Sequence, residues 1–250
     1  MLKVTNLGIN FGGLQAVTDF NLDILDNELV GLIGPNGAGK TTIFNLLTGV
    51  YTPTSGGIEL DNISLYNKKP HEISKLGIAR TFQNIRLFNN LTVLENVLIG
   101  IHNIEYYNII DTIFKTNKYK NVEAKMKNKA IDLLKIFNLD QYSNIKARNL
   151  PYGKQRELEI VRALASKPKL LLLDEPAAGM NPQETENLML LIKKIKEEFN
   201  ISILLIEHDM NLVMNICEKI TVLNYGKVLA TGTPKKIQSN KDVIKAYLGE

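Results

Sequence analysis

The sequence predicts an α/β fold with a mostly parallel sheet, antiparallel strands at the N-terminus and a helical block inserted as a second lobe. Two apolar runs of strand length, Leu170 to Leu173 and Ile201 to Ile206, have the composition of parallel strands buried on both faces. Helical patterns alternate with these runs, and such alternation is typical of a parallel α/β core. After Arg80 the pattern shifts, and from Ile99 to about residue 165 it is mainly helical, which indicates the inserted lobe.

The N-terminal segment, residues 2–31, is predicted to form short strands that alternate with turns. Residues 11–13 and 26–27 supply the turn signals, and Asn27 tolerates the left-handed backbone that a tight turn requires. Further along, Asp61-Asn62 lies between two apolar runs and predicts a hairpin.

The inserted lobe begins with a clear helix start. Thr92 is followed three residues later by Glu95, and this spacing predicts a capping box at the N-terminus of a helix. A second helix is predicted from Val122 to Phe137. Residues 103–121 are rich in Asn, Tyr and Lys with weak periodicity, and no element is assigned to them.

The last part of the chain returns to alternating strands and helices. Asn181 followed by Pro182 and Glu184 predicts the start of a helix, with Asn as the cap and Pro at the first position. Residues 219–223 and 227–230 are predicted to pair as a hairpin around residues 224–226.

Composition narrows the class of protein. The 250 residues are 44% apolar and 22% charged, which is ordinary for a globular chain, and the net charge of +4 is too small to favour nucleic acid as a partner. The one cysteine, Cys217, lies in an apolar context and excludes a disulfide framework, which fits a reducing cytosol. No apolar run reaches the roughly 18 residues of a membrane span, so any membrane partner is expected to be another chain.

A phosphate-binding loop is the strongest signal in the sequence. Gly34-Pro35-Asn36-Gly37-Ala38-Gly39-Lys40-Thr41-Thr42 follows a strand-like run and precedes a helical pattern, which is the context that the P-loop motif requires. Glycines leave room for phosphates against backbone N–H groups, and the helix start favours an anion. Lys40 is expected to contact the β- and γ-phosphates and Thr41 to ligate Mg²⁺. We therefore predict a P-loop NTPase that binds a nucleotide with Mg²⁺.

Two further carboxylates and a histidine complete a predicted phosphate-handling site. Asp174 ends the apolar strand 170–173 and is expected to bind the metal, while Glu175 is placed to orient or deprotonate the attacking water. His208 follows the next buried strand, where parallel strands present their ligand-facing ends. The alternative interpretation of His208 is that it has only a structural role. Gln83 falls at the junction of the two lobes and carries little information alone.

Taken together, these residues resemble the ATP-binding subunits of ABC transporters over essentially the whole chain. The P-loop, Gln83, Asp174-Glu175 and His208 occur in that family's order and spacing. Within the family the chain is most similar to the branched-chain amino-acid importer ATPases. The similar stretches are residues 80–88, residues 174–182 and residues 242–250. Urea-type importers and the lipopolysaccharide-export ATPase have a close pattern and remain alternatives.

The resemblance implies an ABC ATPase whose core lobe comprises residues 1–84 and 166–250, with a helical signature subdomain at about 85–165. It implies ATP as the nucleotide, Gln83 as a further residue of the metal site, and Phe11 as the aromatic that stacks on adenine. The other interpretation of Phe11 is a residue that anchors its loop. The family's partners are a second ATPase subunit in a head-to-tail dimer, two membrane permeases and, indirectly, an extracytoplasmic solute-binding protein. The implied location is the cytoplasmic face of the cell membrane.

The signature segment departs from the family pattern Leu-Ser-Gly-Gly-Gln. It comprises Leu150, Pro151, Tyr152, Gly153 and Lys154. Proline at the serine position offers neither a hydroxyl nor an N–H to the partner's γ-phosphate, although the helix start beyond it remains. If the partner chain keeps the full signature, the two ATP sites are unequal, and we expect the site with Glu175 to be the more important.

Two other classes of protein compete with the transporter interpretation. Soluble ABC ATPases that act on nucleic acid tend to carry tandem cassettes or long coiled-coil insertions, and 250 residues with one P-loop have neither. A nucleotide-binding module without hydrolysis would not need both Glu175 and His208.

Overall fold

The computed structural model describes residues 1–102 and 116–248. Residues 103–115, which belong to the stretch without an assigned element, lie outside this description. Internal contacts divide the chain into two units: Met1–Arg80 with Lys169–Glu250, and Thr81–Pro168. Each unit is described by itself.

The first unit contains two sheets and most of the helices that the structure describes. The strands are β1 (Leu2–Phe11), β2 (Leu14–Ile24), β3 (Leu29–Ile33), β4 (Ser55–Leu60), β5 (Ile63–Ser64), β6 (Ile78–Arg80), β7 (Leu170–Asp174), β8 (Ser202–Ile206), β9 (Lys219–Asn224) and β10 (Lys227–Gly232). The helices of both units are, in chain order, α1 (Lys40–Leu47), α2 (Pro70–Leu76), α3 (Val93–Ile101), α4 (Asn117–Ile136), α5 (Tyr152–Ala165), α6 (Pro182–Phe199), α7 (Met210–Ile216), α8 (Pro234–Gln238) and α9 (Lys241–Leu248). None of these helices is both long and apolar enough to cross a membrane.

The antiparallel sheet has the order β2-β1-β4-β5. Strands β1 and β2 are 10 and 11 residues long, so the prediction of short strands was wrong in this respect. The register shifts along their ladder, and Asn6 and Asp19 adopt left-handed backbones within the strands. These irregularities break the apolar–polar alternation, and each long strand therefore reads as two short ones.

The second sheet has the order β10-β9-β3-β8-β7-β6, and its neighbours pair in parallel from β9 to β6. Only the edge strand β10 runs antiparallel, so the predicted mostly parallel sheet is confirmed. Every residue of β3, β7 and β8 is buried, as the apolar runs predicted. An apolar core joins residues of both sheets with those of α1, including Phe20, Leu32 and Phe44.

Several predicted turns and caps are confirmed. Asn27 has φ 54°, and Asp61 and Asn62 have φ 50° and 63° in the β4–β5 hairpin. Asn181 caps α6 and forms a capping box with Glu184. Such local contacts depend on nearby residues alone, which is why the sequence reveals them.

The second unit is helical among its described residues. Thr92 and Glu95 form the predicted capping box at the start of α3. Helices α3 and α5 approach closely at Gly100, where an added Cβ would lie 2.5 Å from the Arg162 carbonyl oxygen. Helix α4 begins at Asn117, five residues before the predicted start, with Thr116 as its cap. Its first turns are polar and mostly exposed, so they carry no apolar periodicity.

We expect Thr92→Ala to lower the free energy of unfolding by about 1 kcal/mol, because the Thr92 hydroxyl accepts the Glu95 backbone N–H at the start of α3. Urea denaturation of the full chain measures this change. Thr92→Ser is the matched control, because it keeps the hydroxyl and should retain most of the stability. An equal loss in both variants would contradict a capping role.

Candidate functional site

The site is built where three parallel strands end. Leu32 of β3 and Asp174 of β7 both pair with Ile206 of β8, so the carboxyl ends of these strands lie side by side. The loops that follow them carry the P-loop, Glu175 and His208, respectively. The sheet register therefore brings together four predicted features of the first unit, which are the P-loop, Asp174, Glu175 and His208.

The P-loop backbone depends on its glycines. Gly34, Gly37 and Gly39 have φ of 153°, 79° and 105°, values that side chains other than glycine rarely adopt. Gly39 is the N-cap of α1, and as a glycine it has no side chain to cap the helix. At Gly34 an added Cβ would lie 2.1 Å from the carbonyl oxygen of Leu223. The first turn of an α-helix leaves backbone N–H groups without partners inside the helix, so the start of α1 suits a phosphate.

The β9–β10 hairpin supports the P-loop from its other side. The Gly226 backbone N–H donates to the Ala38 carbonyl oxygen at 2.9 Å, and the Gly226 carbonyl oxygen accepts from the Thr18 N–H at 2.9 Å. Tyr247 of α9 also reaches the loop: burial raises the pKa of its phenol to about 12, while a backbone hydrogen bond with Gly34 acts in the opposite direction. The C-terminal part of the chain therefore braces the phosphate-binding loop.

The remaining P-loop side chains differ in exposure. Lys40 is buried, and its Nζ donates to the carbonyl oxygens of Gly34 at 2.7 Å and Pro35 at 3.0 Å. Burial lowers the pKa of Lys40, and the negative charges of Glu175 and Asp174 oppose that shift. Asn36 and Thr41 are exposed, Pro35 and Thr42 are half-buried, and Ala38 is buried.

Asp174 is held by an arginine that sequence analysis did not select. Its Oδ2 accepts from Arg80 at 2.7 Å, and both side chains are buried. The same guanidinium donates to Asn45 of α1 at 2.7 Å and lies 5.4 Å from the centre of the Phe44 ring. Arg80 therefore fixes the carboxylate relative to the helix that follows the P-loop. Arg80 lies within the stretch that is similar to the importer ATPases. Its partner Asp174 is 94 residues away, so the sequence does not reveal the ion pair.

Glu175 and His208 are in direct contact. The Nε2 of His208 lies 2.6 Å from Oε1 of Glu175, and the tautomer decides which atom donates. Glu175 adopts a left-handed backbone with φ 48°, and its N–H donates to the Ile206 carbonyl oxygen at 2.9 Å. A left-handed backbone is uncommon for a residue other than glycine and is frequent at functional sites. The pair can hold and orient a water molecule and take up its proton.

Glu207 is a second residue that sequence analysis missed. Its buried carboxylate accepts the backbone N–H groups of Ala177 at 2.7 Å and His208 at 3.0 Å. Burial raises the pKa of Glu207, and the backbone hydrogen bonds partly oppose this shift. Glu207 thereby links the loop after Glu175 to the loop that carries His208. Its position next to His208 is the only signal in the sequence.

The donor set fits a magnesium ion bound together with a nucleotide. No group of three His, Cys, Asp or Glu side chains that could hold a metal occurs in the described part of the chain. Asp174 and Thr41 offer hard oxygen ligands, and Mg²⁺ usually keeps waters and phosphate oxygens as its other ligands. A carboxylate and a hydroxyl beside a phosphate-binding loop match that preference.

The remaining predicted residues are Phe11, Gln83 and the signature residues. Phe11 is 43% exposed at the end of β1, and its ring meets the edge of Tyr51 at a centroid distance of 5.2 Å. Gln83 and the signature residues belong to the second unit. Pro151 is the N-cap residue of α5, so Tyr152 and Gly153 occupy the first turn of that helix. The Leu150 carbonyl oxygen accepts from the side chain of Gln155, and Lys154 pairs with Glu157 at 2.7 Å.

Comparison with known proteins identifies the family. A family model described as ABC transporter matches residues 17–178, and one described as branched-chain amino acid ATP-binding cassette transporter matches residues 227–250. The whole chain is 48% identical to the high-affinity branched-chain amino acid transport ATP-binding protein BraF of Pseudomonas aeruginosa and covers 98% of it. The corresponding protein LivG of Escherichia coli K12 is 46% identical with the same coverage. The lipopolysaccharide export system ATP-binding protein LptB of Haemophilus influenzae is 31% identical over 98% of its length.

Solved structures agree with this result. An ATP-binding cassette of an ABC transporter in its ADP conformation matches with a TM-score of 0.87 and 31% identity, over 100% of this chain and 99% of that one. A dimeric ATP-binding cassette in a post-hydrolysis state with ADP and Pi matches with a TM-score of 0.77 and 28% identity, over 94% and 99% of the two chains. The predicted fold class and family are thereby confirmed. With a family model over more than half of its length and full-length relatives at 46–48% identity, this chain belongs to the ATP-binding subunits of ABC transporters.

Proposed function

We propose that this chain is the ATP-hydrolysing subunit of an importer for branched-chain or related hydrophobic amino acids. The assignment of ATP hydrolysis rests on the 2.6 Å contact between Glu175 and His208, which lies at the same sheet edge as the P-loop. The importer part is supported by the relatives at 46–48% identity and by the C-terminal match. The lower identity to LptB, 31%, makes lipopolysaccharide export the second choice.

Nucleotide binding is assigned to the P-loop residues Gly34 to Thr42. Their backbone N–H groups and the start of α1 receive the phosphates, and Lys40 exchanges its carbonyl partners for phosphate oxygens. Thr41, Asp174 and Gln83 would hold Mg²⁺, which supplies charge stabilisation at the phosphates when bound. Phe11 would pack on the adenine ring. Arg80 keeps the Asp174 carboxylate in place.

In hydrolysis, Glu175 orients a water for in-line attack on the γ-phosphorus of ATP. As the new P–O bond forms, the water proton passes to the Glu175 carboxylate, and the bond from the γ-phosphorus to the bridging oxygen breaks to release ADP. His208 holds the carboxylate through its Nε2 contact. Glu207 fixes the loops of both residues through two backbone N–H groups. Catalysis therefore depends mainly on positioning and charge stabilisation.

The functional assembly is proposed to be a head-to-tail dimer of two ATPase subunits beneath two permeases. The similarity of this chain to the dimeric ATP-binding cassette with ADP and Pi supports the proposed dimer. In this assembly a nucleotide-binding core, expected at residues 1–84 and 166–250, and a signature subdomain, expected at about 85–165, would form a single ABC ATPase domain. The unit Thr81–Pro168 would place Gln83 with the signature subdomain. The signature residues Leu150 to Lys154 would face the partner's ATP. The chain would then lie at the cytoplasmic face of the cell membrane, with a solute-binding protein on the other side.

The assembly is tested by purifying tagged chain from native membranes in mild detergent. Recovery of two permeases and a second ATPase is expected, together with ATPase activity that responds to leucine-type ligands and their binding protein. Recovery of ribosomal or DNA-bound partners without a membrane chain would contradict the importer proposal.

We expect Glu175→Gln to lower the ATP turnover rate by about 10²- to 10⁴-fold, because the amide keeps the shape of the side chain but accepts no proton. The dissociation constant for ATP should stay within about twofold, since the P-loop is unchanged. Steady-state ATPase assays and fluorescent nucleotide titration measure the two quantities. Glu198→Gln, which removes an exposed carboxylate from α6, is the control and should behave as wild type. Near-normal turnover in the Glu175 variant would contradict the assignment.

The raised pKa of Glu207 predicts a pH dependence of stability. A carboxyl whose pKa is raised above its ordinary 4.5 in the folded protein stabilises it most below that value, and the contribution is lost as pH rises through the folded pKa. The free energy of unfolding of wild type minus that of Glu207→Gln should therefore fall as pH rises from 4.5. Urea denaturation across pH 4.5–8 measures the difference, and a rise with pH would contradict the assigned direction.

Unequal ATP sites are predicted if the partner subunit has a full signature. Changing the catalytic Glu to Gln separately in each chain of the assembled transporter should then give unequal losses of transport. The larger loss is expected from Glu175→Gln in this chain. Equal losses from the two single variants would argue against the inequality.

A further inference from the structure

Helix α5 carries a completely buried ion pair. Arg156 and Glu159 are 0% and 1% exposed, and their side chains meet at 2.8 Å one turn apart on the same helix. Burying two charges is costly, and an apolar pair of similar size often stabilises a protein equally well. The pair therefore calls for a purpose other than stability alone.

The polar atoms of this pair hold the segment that contains Gln83. The two terminal nitrogens of Arg156 donate to the carbonyl oxygens of Phe82 and Gln83, each at 2.6 Å. Glu159 accepts the backbone N–H of Arg86 at 3.0 Å through its other oxygen. Residues 82–86 have neither helix nor strand structure, and the two side chains bind three of their backbone groups.

The two ends of residues 82–86 also contact each other. The guanidinium of Arg86 lies 4.0 Å from the centre of the Phe82 ring, within the range of a cation–π contact. The planar fork of Arg156 sets the directions of two carbonyl groups at once, which a lysine ammonium does not do. The backbone of Phe82 and Gln83 is thus fixed in direction as well as in place.

We propose that Arg156 and Glu159 are positioning residues. They bind residues 82–86, the Gln83 loop, to α5, the helix that begins at the signature residues, and make the loop and the helix move as one body. Pro151 is the N-cap of α5, and Arg156 lies little more than one turn further along the same helix. A displacement of the signature end of α5 is therefore passed to the carbonyl groups of Phe82 and Gln83 through direct hydrogen bonds. This inference rests on the proposed function, because it takes the role of Gln83 in ATP hydrolysis from there.

Two conservative variants test the inference in the full chain. Arg156→Lys keeps the charge and removes the fork, and Glu159→Gln keeps the shape and an acceptor but removes the negative charge. The matched control is Asp132→Asn, which removes a carboxylate from an exposed i,i+3 pair on α4 in the same unit.

The first measurement is amide hydrogen exchange, which needs no activity. We expect exchange at Arg86 to accelerate about tenfold in both variants, because its N–H loses a charge-assisted acceptor or the support of that acceptor. Amides in the middle of α5 should keep their wild-type rates, as should all amides in the control. A uniform acceleration through α5 would assign the pair to stability and overturn the proposal, and so would wild-type exchange at Arg86.

The second measurement is steady-state ATP hydrolysis with nucleotide binding. We expect the turnover rate to fall about 10- to 100-fold while the dissociation constant for ATP stays within about twofold, because the loop is misplaced and the P-loop is not. Wild-type turnover in both variants would overturn the proposed role. Absence of hydrolysis by the wild-type transporter would instead contradict the proposed function, and the exchange result would still decide whether the pair holds the loop.

Discussion

The parallel register of β3, β7 and β8 is the constraint on which the site depends. Three fully buried strands end together, and only this alignment brings the P-loop, the Asp174 carboxylate and the Glu175–His208 pair to one edge. Because the strands are apolar on both faces, a slip in register would expose little apolar surface. It would nevertheless separate the side chains of the site. The buried ties at this edge, such as the Glu175 N–H to the Ile206 carbonyl oxygen, hold the strand ends in place.

Charged groups at this edge are placed in pairs or bound to backbone groups. Arg80 balances Asp174, Lys40 binds two carbonyl oxygens, and Glu207 accepts two backbone N–H groups. Each arrangement satisfies a buried polar group, since an unpaired one would be costly. The same logic applies in the helical unit, where Arg156 and Glu159 satisfy each other and the backbone of the Gln83 loop.

The sequence predicted what depends on neighbouring residues and missed what depends on distant ones. The capping box at Thr92, the Asn181 cap and the parallel strands follow from local patterns, and the structure confirms them. Arg80 escaped notice because its partner Asp174 lies 94 residues away, and Glu207 because Ala177 lies 30 residues away. The long strands β1 and β2 were misjudged because bulges interrupt their alternation.

The contact between the β9–β10 hairpin and the P-loop has a consequence for synthesis of the chain. The P-loop leaves the ribosome before the hairpin, but the carbonyl oxygen of Leu223 lies against Gly34, and the Gly226 N–H is hydrogen-bonded to the Ala38 carbonyl oxygen. The loop therefore reaches its final shape only after residues 223–226 have been made. A nascent chain that lacks the hairpin carries the whole P-loop motif without this support, which delays tight nucleotide capture until the hairpin has been made.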